Sequence, residues 1–131
     1  MMTIKEIRDL MENSDFEVFG LRSDDYEYNV GDDAHVSHQL FQDPDWDEDG
    51  NLIYPEGEGI YAGFYDAGEL DGTCAIEISE YDNDDKIARK INTLPTYCGK
   101  RFYLIGGNGG TYGNDVDEIV VRDAKIIAIL N

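Results

Sequence analysis

An acidic run near the middle of the chain has the residue types and spacing of a calcium ligand set. Three aspartates stand at alternate positions, a glycine follows the third, and a glutamate closes the run at its twelfth position. Ca²⁺ takes about six to eight hard oxygen ligands, and alternating carboxylates converge when a glycine permits a sharp turn. The predicted ligands are Asp45, Asp47, Asp49, the backbone carbonyl of Asn51 and a bidentate Glu56.

This run resembles the twelve-residue calcium loop of the EF-hand, with the pattern D-x-D-x-D-G-x5-E. The flanking residues depart from that family. Pro44 steers the residue before it away from the helical region, and residues 57–59 are Gly-Glu-Gly, which does not continue a helix. The sequence therefore indicates an EF-hand-like loop without its helices, and a plain solvated acidic loop is the alternative interpretation.

A glycine-rich stretch, residues 106–113, lies between two predicted strands. It lacks the third glycine of the dinucleotide-binding pattern G-x-G-x-x-G, because Tyr112 stands at that position. It also precedes a strand, so no helix dipole would meet a phosphate group. We interpret the stretch as a flexible hairpin loop.

An enzymatic hypothesis comes from residues 117–127, Asp-Glu-Ile-Val-Val-Arg-Asp-Ala-Lys-Ile-Ile. This segment resembles the last strands of ADP-ribosyltransferases, in which a glutamate opens a strand that runs into a bend and a final strand. The resemblance implies that Glu118 orients the nicotinamide ribose, and that Arg22 and Thr73 contact the cofactor. The serine-threonine-serine run of that family is absent. The alternative is that Glu118 is a solvent-facing strand residue.

The strongest feature of the composition is negative charge. The formal net charge is -19, from 29 acidic and 10 basic residues, and residues 23–85 contain 20 of the acidic residues and no lysine or arginine. Like charges at this density raise the free energy of the compact state. Binding of DNA or RNA needs cations that neutralise phosphates, so direct contact with nucleic acid is disfavoured.

Tyrosines and the single tryptophan are interleaved with these carboxylates, and both residue types give large contact areas at protein interfaces. In composition, the segment resembles small acidic proteins of phages and mobile elements that act as nucleic-acid mimics, of the anti-restriction or anti-CRISPR kind. The resemblance implies a protein-binding module that inhibits a basic, nucleic-acid-handling protein; the alternative is a solvated acidic surface. The predicted partner-binding residues are Asp24, Asp25, Tyr26, Glu27, Tyr28, Trp46, Tyr54, Glu58, Tyr61 and Tyr65.

A length of 131 residues predicts one domain, with an acidic loop at about residues 42–59. Thr3 and Glu6 form a capping box that begins a helix over residues 4–12, and Asn83 or Asp84 caps a second helix near residues 84–94. Strands outnumber helices without βαβ alternation, so we expect an α+β domain with a mainly antiparallel sheet and two short helices. Strands are predicted within residues 16–21, 26–30, 60–64, 73–79, 102–105, 119–121 and 126–130, with a bend or bulge at 122–123.

The remaining composition predicts a cytoplasmic protein that has no contact with membranes. No apolar run approaches about 20 residues, and the N-terminus has no apolar stretch of signal-peptide length. Two cysteines, Cys74 and Cys98, are too few for a secreted disulfide framework, although the sequence leaves their pairing open. The one cofactor that the sequence suggests is Ca²⁺.

Overall fold

The computed structural model describes residues 2–24, 26–34, 38–42, 45–46, 48–49, 52–53, 72–93, 101–112 and 118–131. These residues form helices and strands in the order α1, β1 to β5, α2, β6 and β7. Their bounds are α1 Ile4–Glu12, β1 Val18–Asp24, β2 His38–Gln42, β3 Asp45–Trp46, β4 Leu52–Ile53, β5 Gly72–Ile78, α2 Asp84–Thr93, β6 Arg101–Tyr112 and β7 Glu118–Ile129.

Five strands form one sheet that closes on itself in the order β1-β5-β2-β7-β6, since β6 also pairs with β1. All neighbours are antiparallel except β2 and β5, which are parallel. A parallel pair needs a long connection, and residues 43–71 separate β2 from β5 in the sequence. With α1 and α2, this sheet confirms the expected α+β class and its mainly antiparallel character.

Helix α1 begins where the capping box predicts. The Thr3 hydroxyl accepts from the Glu6 backbone N–H at 3.1 Å, and the Glu6 carboxylate accepts from the Thr3 N–H at 3.2 Å. Ile7 and Met11, one turn apart, are buried against the sheet. The apolar stripe therefore fixes which face of α1 packs, and the cap fixes where the helix starts.

Helix α2 likewise has a side-chain N-cap and one buried face. The Asn83 carboxamide oxygen accepts from the Lys86 N–H at 2.8 Å, so Asn83 is the capping residue. Ile87 and Ile91 are buried. Within the part of the chain that the structure describes, no helix is long and apolar enough to cross a membrane.

The sheet has a hydrophobic cluster on each face. Phe19 and Leu21 of β1 pack with both helices, whereas Arg22, the next residue along, points to the opposite face. Both helices pack on the same face of the sheet, through Ile7 and Met11 of α1 and Ile87 and Ile91 of α2. The cluster opposite the helices consists of Tyr28, Ala34, Ala75, Tyr103, Ile105, Val121 and Ile126.

The prediction of a hairpin loop across residues 106–113 was wrong, because β6 continues to Tyr112. Its glycines are sites of close packing. A Cβ on Gly106 would lie 2.7 Å from the Phe16 ring, and a Cβ on Gly107 would overlap the Val121 side chain. Glycine occurs here because neighbouring side chains fill the space of a Cβ, and not because the backbone must turn.

The alternating residues 26–30 were predicted as a strand, and this was also wrong. The segment is irregular and turns at Gly31, which has a φ of 95°. It returns along β7, where the Gly31 N–H donates to the Ile126 carbonyl at 2.8 Å and the Ala34 N–H to the Ala124 carbonyl at 2.9 Å. Tyr28 is buried because its ring packs on Tyr103, and the segment therefore covers part of the sheet.

The predicted bend at residues 122–123 is confirmed as a β-bulge within one continuous strand. Asp123 has a φ of 54°, and the register between β6 and β7 shifts at this point. Aspartate tolerates this left-handed conformation better than most residues. The predicted strand over residues 60–64 lies outside the described residues.

Candidate protein-binding surface

The turn between β5 and α2, together with the first two residues of α2, is called the acidic turn below and comprises residues 79–85. Its own side chains fix its backbone: the Ser79 hydroxyl accepts from the Tyr81 N–H at 3.1 Å, and the Asp82 carboxylate accepts from the Ser79 N–H at 3.0 Å. The Tyr81 side chain, by contrast, is 89% exposed. The turn therefore presents an aromatic ring to solvent from an ordered backbone.

Two cations from the helices hold the acidic turn from behind. Arg8 of α1 donates to the backbone carbonyls of Glu80 and Asp82 and to the Asp84 carboxylate, the last at 2.6 Å. Lys90 of α2, which is 2% exposed, donates to the Glu77 carbonyl at 2.6 Å and to the Asp82 carboxylate at 2.8 Å. These contacts join α1, α2 and the end of β5 into one support.

Asp82 is the central acceptor of that support. Burial raises the pKa of Asp82, but the hydrogen bond and charge of Lys90 lower it, as do the Ser79 N–H and the charge of Lys86. The net result is an Asp82 pKa below its ordinary value. The carboxylate is therefore ionised at neutral pH and keeps its bond to the buried ammonium.

Beside the turn lies an open depression, lined by Arg8 and by residues 82–85. Arg8 and the two lysines of α2 neutralise Asp82 and Asp84. Among the described residues, Glu80 and Asp85 have no ion-pair partner. The outer side of the acidic turn therefore remains negative although its inner side is neutralised.

A second acidic and aromatic surface, called the Tyr26 segment, is formed by residues 26–33. Tyr26 is 52% exposed and Val30 is 62% exposed. Glu27 pairs with Arg101 at 3.0 Å, and Asp33 pairs with Lys125 at 2.7 Å. Hydrogen bonding to Lys125 and the charge of that lysine lower the pKa of Asp33.

The two surfaces diverge along the barrel. The Tyr26 segment lies near the end of β1, because Glu27 pairs with Arg101, which stands opposite Asp24 in the sheet. The acidic turn lies near the start of β1, because it follows Ile78, which stands opposite Phe19. Five residues of strand separate these positions, about 17 Å. Among the described residues, Tyr26 and Tyr81 therefore lie toward opposite ends of β1.

Most cations of the described residues are paired with carboxylates of the same chain. Five cations of the two surfaces form ion pairs with carboxylates: Arg8, Lys86, Lys90, Arg101 and Lys125. Lys5 pairs with Asp9 along α1. Arg22 is fully buried. At these two surfaces the cations are therefore neutralised by carboxylates of the same chain, whereas Arg89 and Arg122 are exposed.

Of the predicted partner-binding residues, Tyr26 and Glu27 are exposed, as such a role requires. The prediction that Tyr28 binds a partner was wrong. It is only 7% exposed, and its ring supports Tyr26 at 4.7 Å between centroids and packs edge-on against Tyr103. Asp24 lies in β1 and Trp46 in β3, and the remaining predictions, Asp25, Tyr54, Glu58, Tyr61 and Tyr65, lie outside the described residues.

The predicted calcium loop is described only in part. Asp45 and Trp46 of β3 pair antiparallel with Ile53 and Leu52 of β4, so the chain reverses direction between them. Asp49 is exposed at this reversal. Asp47, Asn51 and Glu56 lie outside the described residues, and the part of the chain that is described contains no cluster of three or more metal-ligating side chains.

The residues of the enzymatic hypothesis lie in three strands. Arg22 of β1 is fully enclosed: it donates to the Ala34 carbonyl at 3.4 Å and lies 5.1 Å from the centre of the Tyr28 ring. It is therefore part of the core and does not face a cofactor in solvent. Thr73 lies in β5 and Glu118 is the first residue of β7.

Tyr81 is one of the aromatics interleaved with the carboxylates between Asp24 and Asp85, but neither Tyr81 nor Glu80 is among the individually predicted partner-binding residues. The available signal was the position of Tyr81 within Ser-Glu-Tyr-Asp-Asn, a polar run between an alternating strand and a helix cap. An aromatic residue there has no strand or helix face on which to be buried.

Comparison of the chain with protein-family models, curated proteins and solved structures found no match.

Proposed function

We propose that this chain is an acidic protein-binding module that inhibits a basic, nucleic-acid-handling protein by occupying the groove in which that protein binds nucleic acid. The observation that carries the proposal is the direction of the ion pairs. At the acidic turn, Arg8 and Lys90 bond inward to the chain's own oxygens. Glu80 and Asp85 have no ion-pair partner among the described residues, so this part of the surface remains negative.

The charge supports this function through the rate of association. A protein with a net charge of -19 is attracted over a long range to a cationic groove, which raises the association rate and makes it sensitive to salt. The same charge repels phosphates, so nucleic acid would compete with this protein and would not bind beside it. Competition for one groove is therefore the expected mode of inhibition.

The exposed aromatics supply the short-range part of the interaction. Tyr81 and Tyr26 are exposed, and hydrogen bonds hold the Tyr81 N–H and the Tyr26 carbonyl. Tyrosine buries much area while losing little conformational entropy, so it adds affinity that salt does not screen. A partner engaged by charge and by these rings would be retained more strongly than by charge alone.

The test is capture of host proteins on the immobilised chain at about 0.1 M salt, where the Debye length is about 10 Å, and again at high salt. We expect retained proteins to be basic, to elute as salt rises, and to be displaced by a DNA or RNA duplex. Their activity on nucleic acid should fall when the free chain is added. Retention of no basic protein, or retention that nucleic acid does not reduce, would contradict the proposal.

A matched pair of variants separates a specific surface from general charge. Asp45→Lys with Asp49→Lys reverses two charges inside the acidic segment, and Glu12→Lys with Asp15→Lys reverses two exposed charges outside it. Both pairs change the net charge equally. The first pair should weaken inhibition more than the second; equal weakening would indicate that only the total charge matters.

A further inference from the structure

The Tyr26 segment covers part of the face of the sheet that lies opposite the helices. Tyr28 is the one buried residue of this segment, whereas its other seven residues, Tyr26, Glu27 and residues 29–33, are exposed. Tyr28 packs in the cluster on that face together with Ala34, the residue that follows the segment. The buried apolar contact that holds the segment is therefore confined to one ring and one methyl group.

Hydrogen bonds to two strands hold the backbone of the segment. The Tyr103 hydroxyl of β6 donates to the carbonyl before Glu27 at 2.7 Å and accepts from the N–H after it at 3.1 Å. On β7, the Ile126 carbonyl accepts from the Gly31 N–H at 2.8 Å, and the Ile126 N–H donates to the Asp32 carbonyl at 2.9 Å. None of these bonds joins two strands of the sheet, so all of them can break while the strand pairing stays intact.

An ion pair near each end of the segment ties it to the sheet. Glu27 pairs with Arg101 of β6 at 3.0 Å, and Asp33 pairs with Lys125 of β7 at 2.7 Å. The least exposed of these four side chains, Arg101, is still 41% exposed, so dissolved salt screens both pairs. Salt acts in the opposite direction on the fold as a whole, because it also screens the self-repulsion of a net charge of -19.

The segment also covers a buried charge. Arg22 of β1 is fully buried, its guanidinium lies 5.1 Å from the centre of the Tyr28 ring, and it donates to the Ala34 carbonyl at 3.4 Å. Burial of a charged group costs free energy, and water that reaches the guanidinium recovers part of that cost. Hydration of Arg22 therefore offsets part of the contact energy that is lost when Tyr28 leaves the sheet.

We infer that the Tyr26 segment is a strap that opens as a unit while the sheet and both helices stay folded, and that its two ion pairs make this opening increase with salt. Segments with few buried apolar contacts and exposed hydrogen bonds are the ones that open locally. Opening uncovers Arg22 and frees the backbone groups of Ala124 and Ile126, and an unpaired strand edge can pair with another chain. The strap therefore controls whether a buried cation and a strand edge are accessible to a partner.

Amide hydrogen exchange, followed by NMR on the full chain, tests this inference. Four N–H groups donate across the contact between the strap and the sheet: Tyr28, Gly31, Ala34 and Ile126. Leu21 and Leu104, which are paired between β1 and β6, report opening of the sheet itself. Between about 0.01 M and about 1 M salt the Debye length falls from about 30 Å to about 3 Å. Since two exposed ion pairs are screened, the four groups should exchange about two- to thirtyfold faster relative to Leu21 and Leu104. The Arg22 side-chain N–H groups should exchange faster in parallel with them.

A matched pair of variants separates the two ion pairs from general charge. Arg101→Gln with Lys125→Gln removes both cations that hold the strap, so the four N–H groups should exchange faster at low salt and lose most of their salt dependence. Lys5→Gln with Arg89→Gln removes two exposed cations of the helices and changes the net charge equally. This control should leave the exchange of the strap, relative to that of the sheet, as it is in the parent chain.

Two results would overturn the inference. If the four N–H groups exchange at the rate and with the salt dependence of Leu21 and Leu104, the segment opens only when the whole chain unfolds. If they exchange faster but respond neither to salt nor to loss of Arg101 and Lys125, the ion pairs do not control the opening. The strap does not depend on the proposed function, which the capture and competition experiment tests separately.

Discussion

The Lys90 ammonium of α2 donates to the Asp82 carboxylate at 2.8 Å, and both side chains are largely buried, with exposed fractions of 2% and 11%. The pair connects the helix to the turn that carries Tyr81. Lys90 also bonds to the Glu77 carbonyl at the end of β5. In a chain with so much repulsive charge, this buried cation neutralises the acidic turn from inside and leaves its outer face negative.

Removal of Lys90 should therefore destabilise the fold. Lys90→Ala leaves the Asp82 carboxylate without its main partner, and loss of one member of a buried ion pair costs about 3–5 kcal/mol. We expect the free energy of unfolding, measured by urea denaturation, to fall by about that amount. Lys5→Ala is the control, because the Lys5 and Asp9 groups are exposed and 3.7 Å apart; it should change stability little. Equal effects of the two variants would contradict the structural role of Lys90.

The same pair predicts how stability depends on pH. The pKa of Asp82 is lower in the folded chain than the ordinary pKa of an aspartate, so the folded state favours the ionised carboxylate. This contribution is fully present above the unfolded pKa and is lost as pH falls through the lowered folded pKa. Acidification should therefore weaken the parent chain between about pH 4 and the folded pKa of Asp82.

Comparison with Asp82→Asn isolates that contribution from the other carboxylates. Protonation of many acidic groups also relieves self-repulsion, which acts in the opposite direction. The relevant quantity is the stability difference between the parent chain and Asp82→Asn, measured from pH 7 to pH 3. It should be constant near neutral pH and shrink below about pH 4. A difference that does not change over this range would show that Asp82 has an ordinary pKa.

Local signals in the sequence were sufficient to predict both helices. The Thr3–Glu6 capping box and the spacing of Ile7 and Met11 are satisfied within one helix and one packing face, so they required no knowledge of distant residues. The bulge at Asp123 was predicted for the same reason, since a polar pair interrupts an apolar strand locally.

Long-range packing explains the errors. Residues 26–30 alternate like a strand, but Tyr28 is buried because it covers Tyr103, which is 75 residues away. Gly107 was assigned to a loop, but a glycine is needed there because the Val121 side chain of the neighbouring strand β7 fills the space of a Cβ. The support of Tyr81 likewise depends on Arg8, 72 residues from Glu80. None of these contacts leaves a local pattern.

The glycines of β6 provide a direct test of close packing. Gly107→Ala would place a Cβ against the Val121 side chain and 3.0 Å from the Arg122 carbonyl, which the backbone cannot easily yield. Overpacking of this kind costs about 1–3 kcal/mol, so urea denaturation should show a loss of that size. Gly109→Ala is the matched control, because its nearest neighbour is the flexible Glu17 carboxylate at 3.2 Å. If the two variants were equally stable, the close packing of Gly107 against Val121 would be contradicted.

The calcium hypothesis makes a separate prediction for the loop over residues 45–56. A ligand that binds the folded chain raises its melting temperature by mass action, so millimolar Ca²⁺ should raise the Tm. Asp45→Ala with Glu56→Ala should abolish the rise, because it removes the first monodentate and the bidentate carboxylate of the predicted shell. NaCl at matched ionic strength is the control, since screening of a net charge of -19 would also stabilise the fold. A Tm increase that is the same in CaCl₂ and NaCl, or that survives in the double variant, would show that the loop is a solvated acidic segment and not a calcium site.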